Sequence, residues 1–360
     1  MRKSKLGIQT LCVAGKALSW VLDVKPRIFK LVIVSDQDFT DWPIPPEVFV
    51  VARYYGKGDW EIDRWEWTDA NARSIARKMV EVAALHNGRI DAWEFINEPA
   101  PSSVASMKRL ARYTRIWAEE MQKHGLKTIV GNFPVGNPEP ELMPYFRPAL
   151  AIANYFGYHG YGKPKAVGDE WTTFRYRKLL EAARIERPVI LTECGVDCGG
   201  PYKGYRKYWS DDEYVAQLIE LDRELQTDER VFGACVYCYG TLDSKWHSFD
   251  LTARAAMLLG DYIKKEGDLV EKPGLEEELR NWAWNHLPWG KIPYNPDAAL
   301  AKTAIQERLG MPLTGEIRRE VRIEDPATKK VHTRTVVFQV FTLGIVWCFE
   351  GAYDLVHVVR

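Results

Sequence analysis

The chain has 360 residues, 46% of them hydrophobic and 27% charged, and its 49 Lys+Arg are balanced by 49 Asp+Glu. That length exceeds one small domain and suits a large α/β domain with an added module. A net charge of zero leaves no footprint for a polyanion, so neither nucleic acid nor a charged membrane surface is implied as a partner.

The basic start MRKSK is followed by no apolar signal-peptide core, and no run is long enough to span a membrane. The cytoplasm is the default location, with release by a lysis route as the alternative. Strand-like apolar runs then recur: KLGIQTL, RIFKLVIV, EVFVVARYY, DAWEFIN, KTIVGN, YFGYHGY, PVILTECG and VFGACVYCY. A helix around Gly15 to Val24 joins the first two, and a weak one near Asp36 to Trp42 joins the next pair. NARSIARKMVEVAALHNG and SMKRLARYTRIWAEEMQKHG carry apolar residues at helical spacing and stop at Asn87-Gly88 and Gly125. WTTFRYRKLLEAARIE and DDEYVAQLIELDRELQT follow the same logic. Alternating β and α with near-continuous apolar strands predicts a parallel sheet. Eight such units in about 265 residues match an α/β chain closed into a (β/α)8 barrel. A doubly wound open sheet is the competitor, but no GxGxxG or GxxxxGKS/T follows the first strand.

After Lys265 the pattern changes to helix-like and Pro/Asn-rich sequence, then to the strand-like runs GEIRREVRI, TRTVVFQVF, GIVWCFE and LVHVV. The expected division is a barrel over 1–270, a linker or docking segment over 271–290, and a small, mostly β module over 291–360. Trp282, Trp284 and Trp289 suit docking, because three such rings are costly to leave in water.

Of the six cysteines, Cys194/Cys198 and Cys235/Cys238 are spaced CxxxC and CxxC. A zinc site is conceivable. Cys235 and Cys238 lie three apart in an apparent strand, however, so they should point to opposite faces and read better as buried thiols. The 14 Trp and 17 Tyr suit a large core or the stacking of sugar rings.

DAWEFINEP ends an apolar run on Asn97 and Glu98. A carboxylate there is costly unless it is paired or used. In a (β/α)8 barrel, functional groups stand at the C-terminal ends of strands, so a used Glu98 should have a partner closing another strand. PVILTECG offers Thr192-Glu193. Taken singly, Glu98 could be a helix N-terminal acid, Glu193 a loop carboxylate and His159 a core histidine. Taken together, two glutamates at one barrel end are what glycoside hydrolysis needs. One donates a proton to the leaving oxygen, and the other attacks the anomeric carbon or activates a water.

FINEP with a later ILTECG resembles glycoside hydrolase clan A, the retaining (β/α)8 glycosidases of the family-five and family-thirty-nine kind. The resemblance covers roughly residues 5–265. It implies that Glu98, after Asn97, is the acid/base and Glu193 the nucleophile, with three βα units between them. YHGY resembles the His-x-Tyr pattern of family-five-like members, in which Tyr161 would hydrogen-bond the nucleophile and His159 would line the site. Asn97 would bind the sugar 2-hydroxyl, and Arg53 is a candidate to hold the nucleophile ionised. The clan often closes strand eight with Trp. This chain has CVYCYG, leaving Tyr237, Tyr239 or Trp246 of the next loop to take that place. Trp60 in DWEIDRWEWTD is either core or a sugar-stacking wall, and Asp197 reads as a turn residue.

LGMPLTGE with FQVFTLGIVWCFEGAYDLVHVV resembles an LGFP-type repeat, through Leu309, Gly310, Pro312 and Glu316 and then Phe341, Gly344, Trp347, Val356 and His357. The resemblance implies attachment to a bacterial cell wall; a β-rich cap that binds nothing is the alternative. The expected function is a retaining glycosidase acting on a poly- or oligosaccharide. The alternatives are a cell-wall lytic glycosidase and a non-catalytic carbohydrate-binding barrel. No metal or organic cofactor is expected, since the seven His show no HExxH or clustered pattern.

Overall fold

The computed structural model describes residues 3–11, 15–33, 43–55, 67–86, 88–241, 243–268, 298–307, 309, 313–324, 331–341 and 344–359. Two compact units emerge, one within Met1–Leu269 and one within Val270–Arg360. The weak helix near 36–42, the 271–290 segment with its three tryptophans, Cys12, Trp60, Gly310 and Pro312 lie outside the described residues.

The first unit is a closed barrel of eight parallel strands in sequential order. They are β1 (Leu6–Thr10), β2 (Ile28–Ile33), β3 (Phe49–Tyr54), β4 (Ala92–Glu94), β5 (Thr128–Phe133), β6 (Tyr155–Gly162), β7 (Val189–Val196) and β8 (Val231–Val236), with β8 returning to pair β1. All eight correspond to the runs read from sequence, and closure replaces the open-sheet competitor. The described helices outside the barrel are α1 (Lys16–Val24), α2 (Asp69–Leu85), α3 (Val104–Lys123), α4 (Met143–Leu150), α5 (Arg175–Ala183), α6 (Asp211–Gln226) and α7 (Ala253–Asp268). Their apolar stripes face the sheet, as with Ala72, Ile75, Ala76, Met79 and Val82 on α2. Side-chain caps start three of them: Thr68 accepts from Asn71 N–H, Ser103 closes a capping box with Ser106, and Ser210 closes one with Glu213. Helices α4 and α7 were not expected. Two prolines, Pro144 and Pro148, hide α4 in the sequence. None of the described helices is long and apolar enough to cross a membrane.

Inside the barrel, Ile28, Val51, Ala92, Ile129, Ile190 and Cys235 form an apolar tier. Strand residues two apart share a face. The next residues on those faces of β2, β3 and β4 are Lys30, Arg53 and Glu94, all buried. A charged tier therefore lies on the apolar one, towards the C-terminal strand ends. Close packing at the tiers demands glycine in places: a Cβ on Gly7 would sit 1.7 Å from the Ile28 carbonyl oxygen.

The second unit is an antiparallel sheet ordered β12 (His357–Val359), β11 (Gly344–Phe349), β10 (Val331–Phe341), β9 (Ile317–Glu324). Helix α8 (Ala299–Gln306) places Leu300 and Ala304 in one cluster with Val337, Val346 and Cys348 of the sheet. On the other sheet face Trp347 stacks on His357 at 4.3 Å. Five cysteines are described, all free, and Cys194, Cys235, Cys238 and Cys348 are buried.

Gly7→Ala is expected to cost the barrel about 2–3 kcal/mol by overpacking against backbone that cannot yield. Urea unfolding checks this, and an unchanged midpoint would show that β1 and β2 can separate.

Candidate active site

The site grows from β2, β3, β4, β6 and β7. On β6 and β7 the register slips between Tyr158 and His159, so that Glu193 rather than Thr192 comes opposite His159. Such a bulge re-aims side chains. Here it turns Glu193 towards the cavity and leaves Thr192 to donate to Asn132 Oδ1 at 3.2 Å. The β4 strand ends at Glu94, three residues earlier than expected, so Asn97 and Glu98 stand on the loop beyond it. Glu98 has a left-handed backbone, φ 47°, and its N–H donates to the Asn132 carbonyl at 3.0 Å. A non-glycine residue held there stores backbone strain, a frequent mark of functional positions.

These elements bring four of the expected residues into direct contact. His159 Nδ1 lies 2.9 Å from Glu98 Oε1 and 3.5 Å from Glu193 Oε2. Tyr161 donates its hydroxyl to Glu193 Oε2 at 2.7 Å. Lys30 Nζ donates to Glu193 Oε1 at 3.3 Å and pairs with Glu94 Oε2 at 2.7 Å. The Glu193 side chain is 10% exposed and that of Glu98 45%. Facing acidic oxygens of Glu98 and Glu193 and the His159 nitrogen all lie within 4.8 Å of one another.

Charge decides how these groups behave. Burial alone would raise the Glu193 carboxyl. The charges of His159 and Lys30, the Tyr161 hydroxyl and Arg53 reverse this and hold it at about 2. Burial also opposes charging of His159, yet the Glu193 charge, the Glu94 carboxylate 4.0 Å away and the hydrogen bond with Glu98 raise it to about 9. His159 is therefore an imidazolium at neutral pH, and its Nδ1–H donates to Glu98. Burial would raise Glu94 too, but Lys30 and His159 outweigh it and lower that carboxyl. Burial and the Glu193 charge push the Tyr161 hydroxyl well up, which keeps it a donor.

Arg53, Asn97, Glu98, Tyr161, Glu193, Tyr237 and Trp246 all line one cavity of about 540 Å³. His159 is fully buried just behind it. Tyr237 follows β8 and meets Trp246 edge-on at 6.0 Å, so two of the three aromatic candidates from that end are at the cavity together, while Tyr239 is not among its lining residues. Asp197 is a turn residue, accepting from the N–H groups of Gly199 and Gly200, and also lines the cavity. Sequence reasoning passed over Lys30 and Glu94. The available signal was a charge inside an apolar central strand, which must find a partner. The convergence of Glu98, His159 and Glu193 has the donor types of a metal site. However, both Glu193 oxygens already face Lys30 and Tyr161, which suits an ion-paired carboxylate better than a cation ligand.

No family model and no curated protein matches the chain. Solved structures similar to it include glycoside hydrolases. One is an Amycolatopsis mediterranei GH128 (subgroup I) endo-β-1,3-glucanase in complex with laminaritriose, at 16% identity and TM-score 0.47, covering 73% of this chain and 99% of that one. A GH39 β-xylosidase from Caulobacter crescentus is 14% identical with TM-score 0.44, covering 66% and 62%. A GH2 β-galacturonidase from Eisenbergiella tayi is 16% identical with TM-score 0.47, covering 69% of this chain and 47% of that one.

The shifts have a consequence for stability. His159, raised from 6.5 to about 9, contributes stability that is complete below pH 6.5 and lost as pH rises through about 9. Glu193, lowered from 4.5 to about 2, contributes stability that is complete above pH 4.5 and lost as pH falls through about 2. Between the native protein and His159→Gln, the stability gap should shrink by on the order of 3 kcal/mol as pH rises from below His159's unfolded value to above its folded one. Urea titrations across that range check it; a gap that ignores pH would mean that His159 is neutral.

Proposed function

We propose that the protein is a retaining glycoside hydrolase. One observation carries this reading: a buried, charge-stabilised Glu193 and a half-exposed Glu98 have facing oxygens within 4.8 Å across one cavity. Carboxyl groups about 5 Å apart suit direct attack, whereas inverting enzymes need roughly 6.5–9.5 Å to admit a water.

In the proposed reaction Glu193 attacks the anomeric carbon as the bond to the leaving oxygen breaks, and that oxygen takes the proton of Glu98. A glycosyl ester on Glu193 results. Water then attacks the same carbon and gives its proton to Glu98, and the ester bond breaks to restore the Glu193 carboxylate. Tyr161 and Lys30 hold one Glu193 oxygen each, which fixes the attacking group in orientation. Glu98, at the open side, can reach both the leaving group and incoming water. Asn97 is assigned to the 2-hydroxyl of the cleaved sugar. Tyr237 and Trp246 are assigned to its apolar face, in the place that Trp holds in similar enzymes. The substrate is read as a poly- or oligosaccharide, and 291–360 as a module that attaches the enzyme to glycan, bacterial cell wall included.

Sugar release should be followed from β-1,3-glucan, mixed plant β-glucan, β-mannan, xylan and bacterial cell wall. Glu193→Gln should abolish release, and Glu98→Gln should lower it by roughly 10²–10⁴-fold. Equal release by both variants and the native protein sinks the assignment. On the polymer that is cleaved, proton NMR of the first product should show the anomer of the parent linkage. The opposite anomer would replace Glu193 as nucleophile with a water and make the enzyme inverting.

A further inference from the structure

Beneath Glu193 lies a carboxylate that the proposed reaction does not use. Glu94 is buried on β4 and is not among the residues that line the cavity of about 540 Å³. Lys30 Nζ lies 2.7 Å from Glu94 Oε2 and 3.3 Å from Glu193 Oε1. His159 Nε2 lies 4.0 Å from Glu94 Oε1, and its Nδ1 lies 3.5 Å from Glu193 Oε2. The four side chains thus close a ring of alternating sign: Glu94, Lys30, Glu193, His159. Other groups face the ring. Arg53 does so from β3, Tyr161 from β6 and the buried Cys235 thiol from β8, while Glu98 sits on His159 Nδ1.

A buried charge with no route to substrate is costly, so its presence calls for a reason. Without Glu94, two buried cations would share the single anion Glu193. In the proposed reaction that anion disappears when Glu193 becomes an ester. His159 would then have only Glu98 to keep it charged.

We propose that Glu94 and Lys30 are positioning residues, and that Glu94 keeps His159 an imidazolium while Glu193 is esterified. The proposal rests on the glycosidase reading above. With Glu193 esterified, Glu94 is the remaining anion of the ring. The His159 Nδ1–H, no longer shared with Glu193, points to Glu98 alone. That contact, 2.9 Å to Oε1, holds in place the Glu98 carboxyl group that must accept the proton of the attacking water. Glu94 acts through His159 and touches no substrate. Removing its charge should slow the second half of the reaction more than the first.

The test begins without substrate. The full chain is labelled with ¹⁵N-histidine, the His159 imidazole signals are assigned by their loss in His159→Gln, and pH is raised. Glu94→Gln keeps the side-chain shape and removes the charge. It should lower the His159 midpoint by about one pH unit or more. Glu119→Gln, on the exposed side of α3, should leave it in place. On the glycan cleaved by the native enzyme, Glu94→Gln should lower kcat by about tenfold or more and lower KM with it. Intact-mass spectrometry should then show accumulated glycosyl-enzyme. If Glu94→Gln does not fold, Lys30→Met/Glu94→Gln is compared with Lys30→Met, and the difference between their His159 midpoints is read as the effect of the Glu94 charge. An unmoved His159 midpoint overturns the proposal whether or not the protein cleaves any glycan. So does a moved midpoint with no adduct and an unchanged kcat. Absence of cleavage by the native protein is a separate result, which falls on the glycosidase reading.

Discussion

Burying a carboxylate strips it of the water that makes its charge tolerable, and the rest of this molecule's centre is arranged around that cost. Glu193 is nine-tenths buried yet held ionised, which is possible only because cations are brought to it inside the barrel. Lys30 comes from β2, Arg53 from β3 and His159 from β6. Each is itself a buried charge and needs an anion, and Glu94 of β4 answers two of them. The result is a mutual arrangement in which removing any one member leaves the others uncompensated.

The barrel makes this possible through its two-residue side-chain period. One residue class fills the lower tier with Ile28, Val51, Ala92, Ile129, Ile190 and Cys235, which keeps water out from below. Two residues on, the same faces carry Lys30, Arg53 and Glu94. The period would send Thr192 and not Glu193 to the cavity opposite His159. The slip in register between β6 and β7 corrects this, and the left-handed backbone at Glu98 performs the corresponding adjustment on the β4 loop. Two local irregularities therefore aim the two carboxylates at each other, on a frame that is otherwise regular.

Legibility followed the range of the interaction. The eight strands and most helices were readable because apolar periodicity and Gly stops are local. Helix α4 escaped because Pro144 and Pro148 break the pattern while packing supports the helix all the same. The glutamates of NEP and TE were readable as candidates because they end apolar runs, where polar groups need a reason, whereas HGY was readable only through its resemblance to a family pattern. Lys30 in IFKLVI and Glu94 in AWE carried the same signal more faintly, one charge each inside an apolar strand. Their meaning depends on each other, and they are far apart in sequence.

The sequence by itself determined the alternation of strands and helices, the barrel that eight such units build, the change of pattern after Lys265, and which carboxylates end up near strand ends. These follow from side-chain size, polarity and backbone preference acting over a few residues. The tertiary structure alone decided that β4 stops at Glu94, that a bulge turns Glu193 inward, and that Lys30, Glu94, Glu193 and His159 close into one ring. Barrel closure sets those relations, because only closure brings β2, β4, β6 and β7 to one axis and takes away the water that would otherwise screen their charges.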